Sequence, residues 1–393
     1  MQIVELEARV VRVGFRRRVK HASRVRSETD NVVVRCKLSD GSVGYGEGVP
    51  REYVTGETAD SAVDLLKRSD IPGQLEPCPT FTPAVHLAER LKLAEVTGDD
   101  RMCGGNAARC ALELAVLDAY GRAFGEPLMN VAKLLSPDLY EPLERVQYSG
   151  VMMSVRGWKA KGFALWHRVL GFRHLKMKVG IAGQNDAERV KHVRGWAGSR
   201  MNLRVDVNEA WTPETVVEKI RELEPYSLSS IEQPIPHENV ACLADVRKQV
   251  GTKIMLDESL CSEVDAERAV AGGWCDSFNL RLSKCGGFIP SLRLAELAVR
   301  HGLGYQLGCQ VGETAILSAA GRHFATSVKG LSAVEGSFDR HLVNDSLTKE
   351  DITFRFLNGG WCPMLVGSGL GIPVDADRLD AITTRREVLL GGV

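Results

Sequence analysis

Charged side chains recur at a regular interval through the middle of this 393-residue sequence, each at the end of a short apolar run. Counting from Lys178, intervals of 28, 26, 25 and 24 residues lead in turn to Asp206, Glu232, Asp257 and Arg281. Each interval is long enough for one strand and one helix. Acids and bases repeated in this way can move protons or hold a metal ion at one edge of a fold.

Three of these positions are carboxylates on consecutive predicted strands, with no basic residue between them in this series. Such a cluster is costly unless a cation binds to it. Oxygen ligands that leave room for water or substrate suit Mg²⁺ better than zinc. A single carboxylate at a strand end is usually only solvated, but three in phase favour a site. We therefore predict that Asp206, Glu232 and Asp257 bind one Mg²⁺ ion per subunit.

Further polar residues lie close to these positions. Lys176 and Lys178 share one face of a strand, because side chains two residues apart point the same way. Glu313 is either a residue at the rim of the site or simply a charge at the start of a helix, and the two interpretations are equally good. Asp339 is in the same way either a site residue or a surface turn residue. The residues predicted to contact the substrate or support the site are Asn208, Glu258, Lys284, Glu313, Arg24 and Asp339.

Eight apolar runs alternate with amphipathic segments from about residue 145 onward. This alternation predicts an α/β fold in which eight parallel strands close into a (β/α)7β barrel. Active sites of such barrels form at the carboxyl ends of the strands, where the charged residues lie. The runs are VQYSGVMMS, HLKMKV, NLRVDVN, SLSSIEQP, KIMLDES, SFNLRLSK, GYQLGCQ and LSAVEGS.

The N-terminal part has a different pattern, in which strands come first and helices follow. Asp40-Gly41 predicts a hairpin turn between two of the strands. The predicted strands cover residues 3–13, 31–37 and 43–48, and the predicted helices cover about 57–69, 82–96 and 106–124. The predicted domains are an α+β capping domain at 1–135, a barrel at 136–350, and a tail at 351–393 that returns to the capping domain.

Composition excludes several classes of protein. Fifty basic residues balance fifty acidic ones, which argues against nucleic-acid binding through global charge. The sequence has no apolar run of 18 residues, and its start is typical of a strand, not of a signal peptide. Ten cysteines without a C-x-x-C pair are typical of reduced thiols. We predict a cytoplasmic enzyme that acts on a small-molecule substrate and binds neither nucleic acid nor membrane.

The motifs together resemble the enolase superfamily, in the muconate cycloisomerase-like branch that holds muconate lactonizing enzymes, o-succinylbenzoate synthases and dipeptide epimerases. The matching segments are Lys176-Met-Lys178, Asp206-Val-Asn208, Glu232-Gln-Pro234, Asp257-Glu258-Ser259 and Lys284-Cys-Gly-Gly287. The resemblance covers nearly the whole chain. It implies a modified TIM barrel with a capping domain and a homo-oligomer. It also implies that Asp206, Glu232 and Asp257 ligate Mg²⁺, that Lys178 is the base, and that Lys176 is its electrostatic partner.

Two positions depart from that branch. Its best-known members carry a second catalytic lysine five residues before the paired glycines, where this chain has Arg281. Arginine stays protonated, so Arg281 can hold an oxyanion or carboxylate but is a poor proton acceptor. The D-x-D with which dipeptide epimerases grip the substrate ammonium is Ser337-Phe338-Asp339 here. That difference counts against a dipeptide substrate.

The predicted reaction is removal of a proton next to a substrate carboxylate, with Mg²⁺ stabilising the enediolate. Lyase or cycloisomerase chemistry on a small polyanionic acid is the leading interpretation, because a basic loop at about 16–30 is predicted to cover the mouth. The alternatives are an amino-acid or dipeptide racemase or epimerase, and a non-catalytic binding module. The basic residues of the loop are Arg16, Arg17, Arg18, Lys20, His21, Arg24 and Arg26.

Overall fold

A four-stranded antiparallel sheet forms the N-terminal part of the computed structural model, which describes residues 1–20, 25–152 and 157–391. Its strand order is β14-β1-β2-β3, so the last strand of the chain pairs with the first. The strands are β1 (Ile3–Lys20), β2 (Val25–Leu38), β3 (Val43–Gly48) and β14 (Thr383–Leu390). The tail therefore returns to the N-terminal sheet, as the sequence predicts.

Helices cover this sheet, and the longest of them, α4 (Asn106–Phe124), packs on β3 at unusually close range. Gly44, Gly46 and Gly48 alternate along β3. A Cβ atom added at Gly46 would lie 2.1 Å from the Ala111 carbonyl oxygen of α4. The bare glycine face is what lets the helix backbone approach the strand. The other helices of this part are α1 (Glu52–Thr55), α2 (Ala59–Arg68), α3 (Phe81–Arg90) and α5 (Asn130–Leu135).

Eight parallel strands in the order β5 to β12 form a second, curled sheet. Its edges meet where the Ser149 amide donates to the Val334 carbonyl at 2.8 Å. The strands are β5 (Gly150–Met152), β6 (His174–Lys178), β7 (Asn202–Asp206), β8 (Ile231–Glu232), β9 (Ile254–Leu256), β10 (Ser277–Leu280), β11 (Gly304–Leu307) and β12 (Leu331–Val334).

Seven helical connections join these strands, so the architecture is the predicted (β/α)7β barrel. The helices are α6 (Gly157–Val169), α7 (Asp186–Ala197), α8 (Val216–Leu223), α9 (Leu243–Arg247), α10 (Glu263–Gly272), α11 (Phe288–Arg300) and α12 (Ala315–Ala325). After the barrel come α13 (Asp339–Leu342) and α14 (Ala376–Ile382). No helix in the described ranges is long and apolar enough to cross a membrane.

Two local predictions need correction. The run VQYSGVMMS is not one strand, because β4 (Arg145–Gln147) leaves the barrel and pairs antiparallel with β13 (Trp361–Pro363). The segment 16–30 is not mainly a loop, because β1 and β2 extend into it as a long hairpin. Residues 21–24, which include His21 and Arg24, lie outside the described residues. The domain boundaries at 135 and 350 stay a prediction.

Candidate active site

The predicted site residues meet at the carboxyl ends of neighbouring barrel strands. Lys178 pairs in register with Asp206, and Asp206 pairs with Glu232, so the three side chains start side by side. Asp257 follows the next strand, β9. The regular interval in the sequence therefore becomes a continuous arc of charged groups around one end of the barrel.

Lys176 lies at the centre of this arc and is almost fully buried. Its ammonium lies 2.7 Å from Glu335, 3.4 Å from Glu232 and 3.6 Å from Asp206. Burial opposes the charge, but the three carboxylates outweigh it and raise the pKa of Lys176. Lys176 is therefore a fixed cation among carboxylates, and it has no role as a proton acceptor near neutral pH.

Lys178 is the more accessible lysine of the pair. It keeps 19% of its side chain exposed, against 5% for Lys176. Its ammonium donates to the Asn208 side-chain oxygen and lies 3.8 Å from Asp206. The Asn208 amide in turn donates to Glu258 at 3.1 Å. Asn208 thus orients the lysine that can reach a substrate.

Arg281, just after β10, reaches back over two of the predicted metal ligands. Its guanidinium donates to Asp257 and lies 3.6 Å from Glu232. Burial disfavours its charge, but Asp257, Glu258 and further carboxylates outweigh that cost and raise the pKa of Arg281. Arg281 therefore remains a permanent cation in the site.

Lys284 binds backbone groups of β10 and of the loop that follows β9. Its ammonium is fully buried and donates to the carbonyl oxygens of Asp257, Leu260 and Asn279 at 2.6–2.9 Å. It also lies 3.1 Å from the Asp257 carboxylate. These contacts hold the loop after β9 in place.

Lys178 and Arg281 lie on opposite sides of the barrel. Their strands, β6 and β10, are four positions apart in an eight-stranded sheet, which is half of its circumference. A ligand between them would meet an amine on one side and a guanidinium on the other. The two sides of the site therefore differ in the chemistry that they offer to a ligand.

Glu232 shows that the carboxylates are crowded. Burial, together with the neighbouring Asp206 and Asp257, raises its pKa to about 8 against the influence of Lys176. The Asn279 amide donates to the same carboxylate at 2.9 Å. An added cation would relieve this repulsion.

The donor set fits Mg²⁺ in chemistry, although one premise of the sequence prediction was wrong. Protein cations do lie between the carboxylates, since Lys176 and Arg281 occupy those positions. Within the described residues, no three acidic, histidine or cysteine side chains are already gathered as a metal site. The fit rests on three oxygen donors at consecutive strand ends and on the neighbouring Glu258 oxygen that accepts no hydrogen bond.

The remaining predicted residues are not part of this arc of strand ends, although Glu313 lines a small cavity together with Glu335. Asp339 is buried and accepts hydrogen bonds from Ser346 and Thr353, which is a structural role at the start of α13. Glu313 is half-buried and accepts from the Gln310 amide at 2.6 Å. Arg26 lies over the Tyr53 ring, 5.4 Å from its centroid, and Arg24 is outside the described residues.

Two residues of the site were missed by sequence reasoning. Glu335 follows β12 and binds both Lys176 and Arg204. Its position one residue beyond a strand end matches that of Asp257, so the interval could have revealed it. Gln233 accepts from the amides of Asp257 and Ser259 at 3.0 and 3.2 Å, a role that no sequence pattern indicates.

Most of the barrel is similar to a known protein family. The family model described as enolase C-terminal domain-like matches residues 162–378, more than half of the chain. The chain belongs to the enolase C-terminal domain-like family. The resemblance to the enolase superfamily is confirmed.

Individual relatives cover almost the full length of this family member. The N-succinyl-L-Arg/Lys racemase of Bacillus cereus is 27% identical over 92% of this chain and 93% of its own. The chloromuconate cycloisomerase of Pseudomonas sp. is 26% identical over 96% of this chain and 98% of its own. A crystal structure of a dipeptide epimerase from Cytophaga hutchinsonii, complexed with Mg and D-Ala-L-Val, superposes with a TM-score of 0.82 at 25% identity, covering 99% of this chain and 100% of that one.

These relatives confirm the predicted enzyme class, an enolase-superfamily isomerase or lyase, and its fold. They include cycloisomerases and epimerases, so both predicted reaction classes are represented.

Proposed function

We propose that this enzyme removes a proton from the carbon next to a substrate carboxylate with Lys178 as its one base, and that Arg281 holds negative charge on the opposite face. The observation that carries the proposal is the placement of an amine and a guanidinium, both partly exposed, half a barrel apart. One side of a ligand thus meets Lys178, which can accept a proton, and the other side meets Arg281, which cannot.

The chain's own residues divide the work. Lys178 must give up its proton before it can act as a base, and Lys176 supplies a fixed positive charge close by. Asn208 accepts a hydrogen bond from Lys178 and keeps its amine directed at the centre of the site. Arg281 offers two parallel N–H groups suited to a carboxylate or oxyanion, and it cannot return a proton from its side at neutral pH.

We further propose Mg²⁺ as the cofactor, held by Asp206, Glu232 and Asp257. When bound, the ion would stabilise the charge that develops on the substrate carboxylate as the proton leaves. The related epimerase structure complexed with Mg supports this proposal. Asp257 and Glu232 are the ligands that Arg281 also contacts, so this residue and the ion share a pair of carboxylates.

A small polyanionic acid is the substrate class we favour, with elimination or cycloisomerisation as the reaction. One-base chemistry suffices for both, whereas inversion of a centre needs an acid or base on each face. The placement of Arg281 beside the ligand space supports a second anionic group in the substrate. Arg26, on the hairpin that extends β1 and β2, is a second candidate contact.

The test is proton exchange in D₂O with a set of small carboxylic acids and Mg²⁺, followed by NMR. We expect one hydrogen of a prochiral methylene next to the carboxylate to exchange, and Lys178→Ala to abolish that exchange. Lys191→Ala, on the exposed face of α7, is the matched control and should exchange at the wild-type rate. Exchange of both hydrogens, or rapid racemisation of a chiral acid, would contradict the one-base proposal.

Racemisation or epimerisation is the second candidate, favoured by the N-succinyl-L-Arg/Lys racemase and dipeptide epimerase among the relatives. It requires a proton donor on the Arg281 side. The same exchange experiment distinguishes it, because a racemase would incorporate deuterium with inversion at the chiral centre. A non-catalytic binding module would show no exchange with any acid.

A further inference from the structure

A second cavity lies at the other end of the barrel from the candidate active site. It has a volume of about 590 Å³ and is lined by residues that begin the strands, such as Asn202 of β7, Ser277 of β10 and Gly304 of β11. The charged arc lies at the carboxyl ends of the same strands. The cavity is therefore separate from the candidate active site, and its volume falls within the range of small-molecule sites, roughly 300–1,000 Å³.

Two buried polar side chains on the cavity wall have unused hydrogen-bonding groups. Gln306 is fully buried, and neither its amide nitrogen nor its amide oxygen has a hydrogen-bond partner. Arg204 is 2% exposed, and its Nε and Nη1 groups also lack a partner. Buried polar groups are normally satisfied, and leaving one unpaired costs about 1–3 kcal/mol. The wall thus carries three donor nitrogens and one acceptor oxygen without a hydrogen-bond partner.

The charge around the cavity is positive. Arg247 is on the wall and is paired with Asp276, and Arg204 is paired on its far side with Glu335. Lys253 and His301 lie on the exposed rim and have no carboxylate beside them among the ion pairs of the described residues. Hydroxyl groups of serines such as Ser230 and Ser277 complete the lining. Donors and positive charge in excess favour an anion.

We propose that this cavity is a second, non-catalytic site that binds a small molecule carrying an oxyanion, either a carboxylate or a phosphate group. The oxyanion would accept from the free N–H groups of Arg204 and from the side-chain amide of Gln306. Lys253 and His301 would attract it at the rim.

Arg204 connects this site to the candidate active site. Its Nη2 group donates to Glu335, and Glu335 lies 2.7 Å from the ammonium of Lys176. A ligand on the free side of Arg204 would compete with Glu335 for the guanidinium. Occupation of the cavity is therefore expected to alter the surroundings of Lys176 through two side chains.

The test is isothermal titration calorimetry of the full chain with inorganic phosphate and with succinate, at constant ionic strength adjusted with NaCl. We expect one of them to bind with a Kd below about 10 mM. Gln306→Leu, which keeps the volume, should weaken binding about tenfold, as expected for one lost hydrogen bond to a charged group. Lys253→Ala, at the exposed rim, should weaken it severalfold without disturbing the fold.

Two controls separate this site from the candidate active site. Lys178→Ala should leave the affinity unchanged, because that lysine is at the opposite end of the barrel. Lys219→Ala, which removes a half-exposed lysine paired with Glu222 on α8, should also have no effect. Binding of phosphate alone or succinate alone would identify the source of the oxyanion. The proposal would be overturned if neither phosphate nor succinate binds, or if Lys253→Ala and Gln306→Leu leave the affinity unchanged.

Discussion

At the scale of single residues, Arg281 gives this site its character. A guanidinium cannot lose its proton in a protein, and here it contacts Asp257 and Glu232, which are proposed to ligate Mg²⁺. A lysine at the same place could alternate between proton donor and acceptor. The substitution therefore bears on both the chemistry of the second face and the affinity for the ion.

Arg281→Met tests the second effect. The variant removes a cation that competes with Mg²⁺ for two carboxylates. Because one ion pair of this kind contributes about 1–3 kcal/mol, we expect Mg²⁺ to bind at least about fivefold more tightly. Calorimetric titration with Mg²⁺ measures it without any substrate. Arg300→Met, at an exposed position on α11, is the control and should leave the affinity unchanged. Weaker binding in Arg281→Met would show that the guanidinium supports the ion.

The interval between charged residues was sufficient to predict which strand ends meet. It could not predict that Lys176 and Arg281 turn inward between the carboxylates, because side-chain direction beyond the strand depends on burial and on neighbouring charges. Glu335 shows the same limit from the other side. Glu335 follows its strand at the same regular interval as the other charged residues. The comparison with the D-x-D motif instead directed the prediction to Asp339, which the structure places among hydroxyl groups.

At the scale of elements, the contact between β3 and α4 depends on three glycines. Each of them faces the α4 backbone, and an added Cβ would lie 2.0–2.1 Å from a backbone atom of that helix at all three positions. The sequence pattern predicted both elements and the hairpin before β3. It did not predict their close approach, which requires knowledge of which face of the strand meets the helix.

Gly46→Ala tests this packing. We expect the free energy of unfolding to fall by about 1–3 kcal/mol or more, because the helix backbone itself must shift to admit the methyl group. Urea unfolding followed by circular dichroism measures the change. Gly195→Ala, in α7, has open space around its added Cβ and should be neutral or stabilising by up to about 1 kcal/mol. Equal stability of the two variants would contradict the proposed packing.

At the scale of the whole molecule, two buried glutamates join the N-terminal sheet and helices to the barrel. Glu47 of β3 accepts from the amides of Thr314 and Leu317 at the start of α12. Glu113 of α4 accepts from the amide of Phe288 at the start of α11 at 2.6 Å. The helix starts that carry these amides have excess positive potential, so each carboxylate is both a cap and a cross-connection.

These contacts predict a pH dependence of stability. Burial raises the pKa of Glu47 and of Glu113 to about 7, from an ordinary value of 4.5, although hydrogen bonds oppose the rise. The folded state therefore binds more protons than the unfolded state between these values. Stability from this source is complete below about pH 4.5 and is lost as the pH rises through 7.

Urea unfolding at pH 5, 6, 7 and 8 measures that loss. We expect Glu47→Gln to reduce the downward slope of the unfolding free energy between pH 5 and 8, because a side chain that cannot titrate takes no part in it. Glu218→Gln, at an exposed position of α8, should keep the wild-type slope. A slope in Glu47→Gln as steep as that of the wild type would assign the titration to other groups.

The pairing of β1 with β14 has a consequence for synthesis on the ribosome. Leu6 lies beside Leu390, so the first strand is made long before the strand that completes its sheet. At about 5–20 residues per second, the edge of β1 is exposed for roughly 20–75 s while the intervening chain is translated. Throughout that interval β1 presents unpaired backbone groups to other chains. Slowing translation near the end of the message should therefore increase the demand of this protein for chaperones more than slowing it near the start.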